Sequence, residues 1–459
     1  MSNPSIEPGR PSGTLTRRTL LRTAAGGGAA LLAAHGLPAW ARPVVHAAGV
    51  RQPGSLPFPS KPEGTPSMPE IEHIVVLMME NHSFDNLLGM VPHQVPGRRG
   101  VDGFRVRGGK PINANPDVNG TAVVAQHASS PCQQHGEPSQ SWTASHQAYD
   151  NGLNDGFVKA SDAMAMRYWD KRDIPFTYSL AEHFPIGERH FCSLLGQTFP
   201  NRRFLFAGTS FGTVDDTFPN DPPPNGTIFD RLDAHHINWA IYYQNPSYPT
   251  LELVPDAYTA ARRPRVRHFG QFLSDAAAGR LPQFTFLDPN YSTTSQENPQ
   301  DIQLGERYIA QVVQALMHAK TWKHTALFLT YDEHGGYYDH VPPPPAIVPD
   351  SIPPDLAPGE TPGAFDRYGF RVPTIVISPW ARPHYVSRVV HDHTSITAFI
   401  ERKWNLPAMT FRDANAHPMT NYFNFRKPHF LEPPKLAKPP QLGPGLAKCH
   451  AAGLSPPLT

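Results

Sequence analysis

Two pairs of adjacent side chains carry oxygen atoms that could bind a cation. Each pair directly follows an apolar run of the sequence. Glu80 and Asn81 follow one run, and Asp332 and Glu333 follow another. Carboxylates that are brought together repel each other unless a cation or a proton lies between them. The residue types therefore favour a divalent cation site. Helix capping at Glu80 and solvated acids in a turn at Asp332 are also consistent with the local sequence.

Thr198 is a candidate nucleophile in the segment 196–203. Pro200 suits the first turn of a helix, which would place Thr198 just before the helix N-terminus. Free amides and the positive end of the helix favour a phosphate anion and a deprotonated hydroxyl at that place. Taken alone, the segment favours Thr198 as a simple helix cap.

Two predicted strands must position the oxygen pairs. Residues 73–79 and 326–331 have the length and apolar density of strands that are buried on both faces, as in parallel sheets covered by helices. Ligands bind at the carboxyl ends of the strands in such sheets. Neighbouring residues on a strand point to opposite faces, so Asp332 and Glu333 can converge only where the strand breaks. The turn predicted at Gly335-Gly336 provides that break.

The remaining pattern alternates strands with helices. Further strands are predicted at 239–243, 284–287 and 374–378, and helices at 140–149, 228–236, 269–278, 301–320 and 395–404. Asp301 is a plausible cap for its helix. The alternation predicts an α/β fold with a central, mostly parallel sheet that is covered by helices on both faces.

The composition limits the partners and the redox chemistry. Among 459 residues, 40 basic and 39 acidic side chains give a formal charge of +1, and the absence of a long basic run argues against nucleic acid. The 53 prolines indicate long irregular connections. Cys132, Cys192 and Cys449 allow one disulfide bridge, but they form neither a disulfide framework nor a metal cluster.

The N-terminus has the features of an export signal. Arg17-Arg18 precede the Ala/Gly-rich stretch 24–34, and small residues suited to cleavage follow. Residues 1–48 are therefore predicted to be a twin-arginine signal that engages the twin-arginine export machinery, with a disordered tail as the alternative. The predicted organisation continues with a catalytic domain at 70–427 and a Pro-rich tail at 428–459. No other segment has the apolar length of a transmembrane helix.

Three motifs carry a resemblance to a known family. They are ENHSFDN from Glu80, RYWDKRDIPFTYSLAEHFPIGERHFCSLLGQTFPNR at 167–202 and TYDEHGGYYDHVPPP from Thr330. Together they resemble the bacterial phosphoesterase family that contains phosphatidylcholine-hydrolysing phospholipases C and acid phosphatase A. The resemblance implies an alkaline-phosphatase-like α/β fold and cleavage of phosphate esters through a phosphorylated Ser or Thr.

The resemblance also implies roles for individual residues. It assigns one divalent cation to Glu80, Asn81, Asp332 and Glu333, with Thr198 as the nucleophile and a further metal contact. A set of oxygen ligands suits Ca²⁺, Mg²⁺ or Mn²⁺ better than Zn²⁺. Arg202 is a candidate contact for the substrate phosphate, although an arginine beside a helix start is also often surface charge.

The sequence departs from the family pattern at Gln140 and Asn298, which are themselves candidate substrate contacts. The family commonly has a histidine where this chain has Gln140, and it often has His-Pro where this chain has Asn298-Pro299. A histidine is the natural acid for protonating a leaving alkoxide near neutral pH. Either another histidine substitutes or the activity is weak, and the candidates are His135, His146 and His393. A helix-capping or structural role is the alternative for His393.

The sequence thus predicts an exported, metal-dependent phosphoesterase. The expected activity is that of a phospholipase C on phosphatidylcholine-like lipids through a phosphothreonine intermediate, with peripheral membrane contact. An acid phosphatase that acts on small phosphate esters is the first alternative. A catalytically weakened relative that acts as an exported binding protein is the second.

Overall fold

A mixed β-sheet lies at the centre of the computed structural model, which describes residues 49–132, 138–244 and 250–441. The predicted export signal, His135 and Cys449 lie outside these ranges. Within them, the central sheet has eight strands. In chain order these are β1 (His73–Met79), β2 (Ile186–Gly187), β3 (Trp239–Tyr243), β4 (Val266–His268), β5 (Phe284–Asp288), β6 (Thr325–Tyr331), β7 (Ile375–Ile377) and β8 (Val386–Ser387).

The sheet is mostly parallel. Its strand order is β4-β3-β5-β1-β6-β7-β2-β8, and β7 is the strand in the described sheet that runs antiparallel to its neighbours. The central strand β1 pairs in parallel with β5 and β6, and Met79 lies opposite Tyr331. The last residues of β1 and β6 are therefore neighbours, so the residues that follow both strands meet at one edge of the sheet.

Helices connect and cover the strands. In the described ranges they are α1 (Phe84–Leu88), α2 (Val91–Gln94), α3 (Trp142–Tyr149), α4 (Phe157–Ala160), α5 (Pro175–His183), α6 (Thr198–Ala207), α7 (Ile228–Ala234), α8 (Phe269–Ala278), α9 (Ile302–Met317), α10 (His393–Trp404) and α11 (Phe411–Asn415). The predicted cap of α9 is confirmed, because the Asp301 carboxylate accepts a hydrogen bond from the amide of Gln303 at 2.8 Å.

Both faces of the sheet are buried under helices, as the apolar runs predict. Alternate residues of β1 point to opposite faces. One face carries Val75, Leu77 and Met79, which belong to the same apolar cluster as side chains of α5, α8 and α9. The other carries Ile74, Val76 and Met78, clustered with side chains of α6, α7 and α10. The predicted α/β class with helices on both faces is confirmed.

Short strands and irregular segments surround this core. The short strands are Val106–Arg107, Lys110–Pro111, Ala114–Pro116, Ala122–Val124, Gln126–His127 and Arg167–Tyr168, and the 3-10 turns are Asp150–Gly152, Ala163–Met166, Thr250–Leu253, Arg263–Arg265, Trp322–His324 and Thr420–Tyr422. The Pro-rich segment packs on the core as far as it is described, since the ring of Phe430 lies 4.6 Å from that of Phe184. None of the described helices is long and apolar enough to cross a membrane.

The cysteines take two different states. Cys132 is disulfide-bonded. Cys192 is a buried free thiol, and burial raises its pKa well above the usual range. One bridge, as the cysteine count allows, is therefore present, and Cys192 is a core residue.

Candidate active site

The ends of β1 and β6 bring the two predicted oxygen pairs together. Glu80, Asn81, Asp332 and Glu333 are all buried. The backbone amide of Asn81 donates a hydrogen bond to Asp332 Oδ1 at 3.2 Å. The turn predicted after Glu333 is present, with φ of 65° at Gly335. A Cβ atom at Gly335 would lie 2.0 Å from the Asn81 carbonyl oxygen, so only glycine lets the two strand ends approach this closely.

Thr198 faces the same strand ends from the start of α6. It is the first residue of the helix, whereas Gln197 occupies the N-cap position and makes no side-chain capping bond. The predicted position before the helix is therefore wrong by one residue. The Thr198 hydroxyl donates to Asn81 Oδ1 at 3.2 Å. A capping side chain accepts a hydrogen bond from a helix amide. The hydrogen bond that the Thr198 hydroxyl donates to Asn81 is therefore not a capping bond.

Arg202 lies one helical turn after Thr198 and connects the carboxylates. Its side chain is fully buried. Nη2 donates to Glu80 Oε1 at 2.7 Å, Nε donates to Asp332 Oδ2 at 3.0 Å, and Nη1 lies 3.6 Å from Asp288 Oδ1. These contacts argue against the predicted contact with a substrate phosphate, because the guanidinium faces three carboxylates. Arg202 instead holds Glu80 and Asp332 in fixed orientations.

The electrostatics of the strand ends favour a bound cation. Burial raises the pKa of Glu80 well above its usual range, and the neighbouring Asp332 raises it further against the opposing effect of Arg202. Burial and Asp332 likewise raise the pKa of Glu333. Within the described ranges, Glu333 Oε1 is buried without a hydrogen-bond partner. This orphaned oxygen and the oxygen-only donor set fit a hard divalent cation.

Two other groups in the described part of the chain bring acidic and histidine ligand atoms within 4.8 Å of one another. They are Asp85, Asp339 and His340 in one group, and His127, Asp170 and Asp173 in the other. An arginine already balances each group, since Arg371 Nε lies 2.8 Å from Asp339 Oδ1 and Arg172 Nη2 lies 2.8 Å from Asp170 Oδ2. Neither group contains a predicted ligand. Of the predicted carboxylates, Glu80 and Asp332 both contact Arg202.

A cavity of about 240 Å³ opens beside Thr198. It is lined by Glu80, Thr198, Phe199, Asp216, Leu253, Tyr291 and Glu297. Thr198 and Glu80 thus belong both to the strand-end cluster and to the cavity. The substrate of a Thr198 nucleophile would occupy this space.

Two acids in the cavity are absent from the sequence prediction. Asp216 Oδ1 accepts a hydrogen bond from the backbone amide of Phe199 at 2.7 Å, and burial raises the pKa of Asp216 to about 6. Glu297 Oε1 accepts a hydrogen bond from Asn81 Nδ2 at 3.2 Å. Glu297 precedes the Asn298-Pro299 segment that marked a departure from the family. Asp216 has no local signal, because its sequence resembles an ordinary acidic loop.

Comparison with known proteins decides the family. The sequence profile of the Phosphoesterase family matches residues 71–407. The chain belongs to the Phosphoesterase family. It is a phosphoric ester hydrolase, as the three motifs predict.

Relatives of this phosphoesterase are named as phospholipases C. Non-specific phospholipase C1 of Arabidopsis thaliana is 31% identical over 78% of this chain and 71% of its own length. Phospholipase C A of Mycobacterium tuberculosis is 29% identical over 93% of this chain and 88% of its own length. A solved structure of an alkaline phosphatase superfamily protein from Vibrio parahaemolyticus aligns at 9% identity with a TM-score of 0.34, and covers 66% of this chain and 72% of that chain.

Two of the candidate histidines of the phosphoesterase, His146 and His393, are not among the residues that line the cavity. His393 is the first residue of α10, and its Nε2 donates to the backbone carbonyl of Asp332 at 2.7 Å. His146 Nδ1 donates to the Trp142 carbonyl at 2.7 Å, and the two rings lie 4.1 Å apart. Burial lowers the pKa of both histidines. His393 thus supports the backbone of a predicted metal ligand, and a proton-donating role for either histidine stays a prediction.

The two positions where the phosphoesterase lacks the common histidines are both buried. Gln140 lies immediately before Ser141, which caps α3. Asn298 Oδ1 accepts a hydrogen bond from the Tyr337 hydroxyl at 2.9 Å. Neither side chain is among those that line the cavity, so substrate contact at Gln140 and Asn298 stays a prediction.

Proposed function

We propose that this phosphoesterase is a metal-dependent phospholipase C that acts on phosphatidylcholine-like lipids through a phosphothreonine intermediate. The observation that carries the proposal is the position of Thr198. Its hydroxyl lies 3.2 Å from Asn81 Oδ1, beside buried carboxylates, and its side chain borders the cavity. The relatives named as phospholipases C support a phospholipid as the substrate.

The chemistry assigns one task to each group. The Thr198 oxygen forms a bond to phosphorus while the bond from phosphorus to the glycerol oxygen of the lipid breaks, and the leaving alkoxide takes a proton. Water then cleaves the phosphothreonine ester and regenerates the hydroxyl. A divalent cation held by Glu80, Asn81, Asp332, Glu333 and Thr198 would stabilise negative charge on the Thr198 oxygen and the phosphoryl group. Arg202 keeps the carboxylates of Glu80 and Asp332 oriented.

A substrate panel on the purified chain tests the proposed substrate class. We expect phosphocholine release from phosphatidylcholine vesicles to exceed phosphate release from p-nitrophenyl phosphate at saturating divalent cation. Faster hydrolysis of the monoester would favour an acid phosphatase. A folded, metal-loaded chain that cleaves neither compound would favour a binding protein.

Apolar surface adjoins the cavity, since Phe218 is half exposed and its ring lies 5.4 Å from that of Phe199. This surface supports peripheral contact with a lipid layer.

Export through the twin-arginine pathway is part of the proposal. The paired arginines Arg17-Arg18 precede an Ala/Gly-rich stretch in the sequence. Because that machinery reads the arginine pair, replacing both arginines by lysine is expected to retain the precursor in the cytoplasm. Fractionation of cells that express each form measures this. Undiminished export of the double-lysine form would remove the twin-arginine assignment without affecting the enzymatic one.

A further inference from the structure

A second cavity lies among the short strands outside the central sheet. Its volume is about 550 Å³, and cavities of roughly 300–1,000 Å³ are typical ligand pockets. Of the described residues, none lines both this cavity and the one beside Thr198. The phosphoester chemistry proposed at Thr198 therefore leaves the second cavity without a role. Its lining includes Lys110, Pro111, Val124, His127, Tyr168 and Arg172.

The charged side chains of this lining favour an anion. Lys110 and Arg172 supply positive charge, and the described lining residues include no aspartate or glutamate. Lys110 is exposed on its short strand and lies opposite Arg107, another exposed cation, in the antiparallel pairing of Lys110–Pro111 with Val106–Arg107. An anionic group in the cavity would therefore meet complementary charge at its mouth.

Two buried carboxylates lie behind the lining, and donors occupy both of them. Asp170 accepts hydrogen bonds from Arg172 Nε at 3.0 Å and Nη2 at 2.8 Å, and from Gln94 at 2.9 Å. Asp173 Oδ2 accepts from His127 Nε2 at 2.7 Å. These bonds fix the Arg172 guanidinium at the cavity. Within residues 49–132, 138–244 and 250–441, its Nη1 donates to no protein group, so this nitrogen is the donor that remains for a ligand.

The rest of the lining is apolar and suits a hydrocarbon chain. Pro111, Val124 and the ring of Tyr168 line the cavity. Val124 is 40% exposed and the nearby Ile112 is 41% exposed, so large apolar side chains meet water beside the cations. A small inorganic anion would leave this surface in water. An anion that carries an apolar chain would cover it and gain the free energy of apolar burial.

We propose that this cavity is a second ligand site, which binds an organic anion with an apolar chain such as a fatty-acid carboxylate. Lys110 and Arg172 Nη1 contact the anionic head, and Pro111 and Val124 contact the chain. The site goes beyond the proposed function, because it requires neither Thr198 nor the cation.

Three ligands with the same chain and different heads test the charge preference by calorimetric titration. They are decanoate, decan-1-ol and decyltrimethylammonium, each kept below its micelle concentration. We expect the native protein to bind decanoate about tenfold more tightly than decan-1-ol, a ratio that corresponds to roughly 1.4 kcal/mol. Decyltrimethylammonium should bind more weakly than the alcohol, because the head would meet like charge.

Substitutions in the lining test the location of the site. Arg172→Gln removes the charge but keeps an amide donor for Asp170, and Lys110→Gln removes the other positive charge. Each should weaken decanoate binding severalfold and leave decan-1-ol binding unchanged. Val124→Ser shortens the apolar wall and should weaken both ligands. Because Lys110 is exposed, its variant keeps the test decisive if Arg172→Gln fails to fold in a thermal melt.

Lys171→Gln is the matched control. It removes the same charge one residue from Arg172, at an exposed residue that is not in the lining, and it should bind decanoate like the native protein. Equal binding of decanoate and decan-1-ol by the native protein would overturn the site. So would decanoate binding that Arg172→Gln and Lys110→Gln weaken no more than Lys171→Gln does.

A variant of the other cavity separates the two sites. Thr198→Val should bind decanoate like the native protein, whatever its activity on phosphate esters. If Thr198→Val loses decanoate binding while Arg172→Gln and Lys110→Gln keep it, the anion binds beside Thr198 and the second site is overturned. An inactive native protein that still shows the decanoate preference and its loss in the lining variants would leave the second site standing without the proposed function.

Discussion

Replacement of Thr198 by valine is expected to lower turnover by about three orders of magnitude or more while the protein stays folded. Valine has the shape of threonine but lacks the hydroxyl that would carry the phosphoryl group. Three orders of magnitude correspond to a barrier increase of roughly 4 kcal/mol. The cost in stability should be about 1 kcal/mol, the usual contribution of one hydrogen bond, because within the described residues the hydroxyl donates to Asn81 alone and Gln197 is the N-cap.

The control for this prediction is Thr198→Ser. Serine retains the hydroxyl and should retain substantial activity, so the pair separates loss of the nucleophile from a disturbed helix start. Initial rates on p-nitrophenylphosphorylcholine and a thermal melt are measured for each variant. Mass spectrometry of the rapidly quenched native enzyme should show an adduct on the peptide that contains Thr198. A folded valine form that turns over near the parent rate would rule out the covalent mechanism.

Replacement of Asp332 by alanine is expected to remove most of the bound metal. Loss of a residue that hydrogen-bonds to a metal ligand typically lowers metal affinity by about 10- to 100-fold. Loss of a ligand itself should therefore lower the affinity by at least about 100-fold. Arg202 keeps Glu80 at 2.7 Å and Asp288 at 3.6 Å, which limits the structural damage. Elemental analysis after dialysis, together with calorimetric titration of Ca²⁺, Mg²⁺ and Mn²⁺, measures the loss directly.

Asp339→Asn distinguishes this site from the tight group around Asp85 and His340. Asp339 is also a buried carboxylate, but its Oδ1 lies 2.8 Å from Arg371 Nε. If the metal is held at the strand ends, the Asp339 variant should keep its metal content while the Asp332 variant loses it. Metal loss in the Asp339 variant alone would show that the cation binds at the group around Asp85 and His340. Unchanged metal content in Asp332→Ala would contradict the ligand assignment.

The sequence by itself determined β1, β3, β5, β6 and β7 and the residues that follow β1 and β6, whereas the short strands β2, β4 and β8 carry no such signal. Residues 74–79 are apolar throughout and are followed at once by Glu80, so hydrophobic burial and the position of the first charge both mark where β1 ends. The same pattern holds for β6 and Asp332. These features are local, because burial on both faces requires an unbroken apolar run. The two Gly residues after His334 mark the turn for an equally local reason, the positive φ at each.

Only the tertiary structure decided which distant side chains meet those strand ends. In the sequence, Arg202 beside a helix start resembles an ordinary surface arginine. In the structure, the face of α6 that carries Thr198 packs on the sheet, so Arg202 points toward three buried carboxylates. Asp216 and Glu297 come from separate loops with no periodic pattern, and they reach the cavity because the chain between them folds back across β3 and β5. Their positions depend on the packing of whole elements, so no local spacing in the sequence could reveal them.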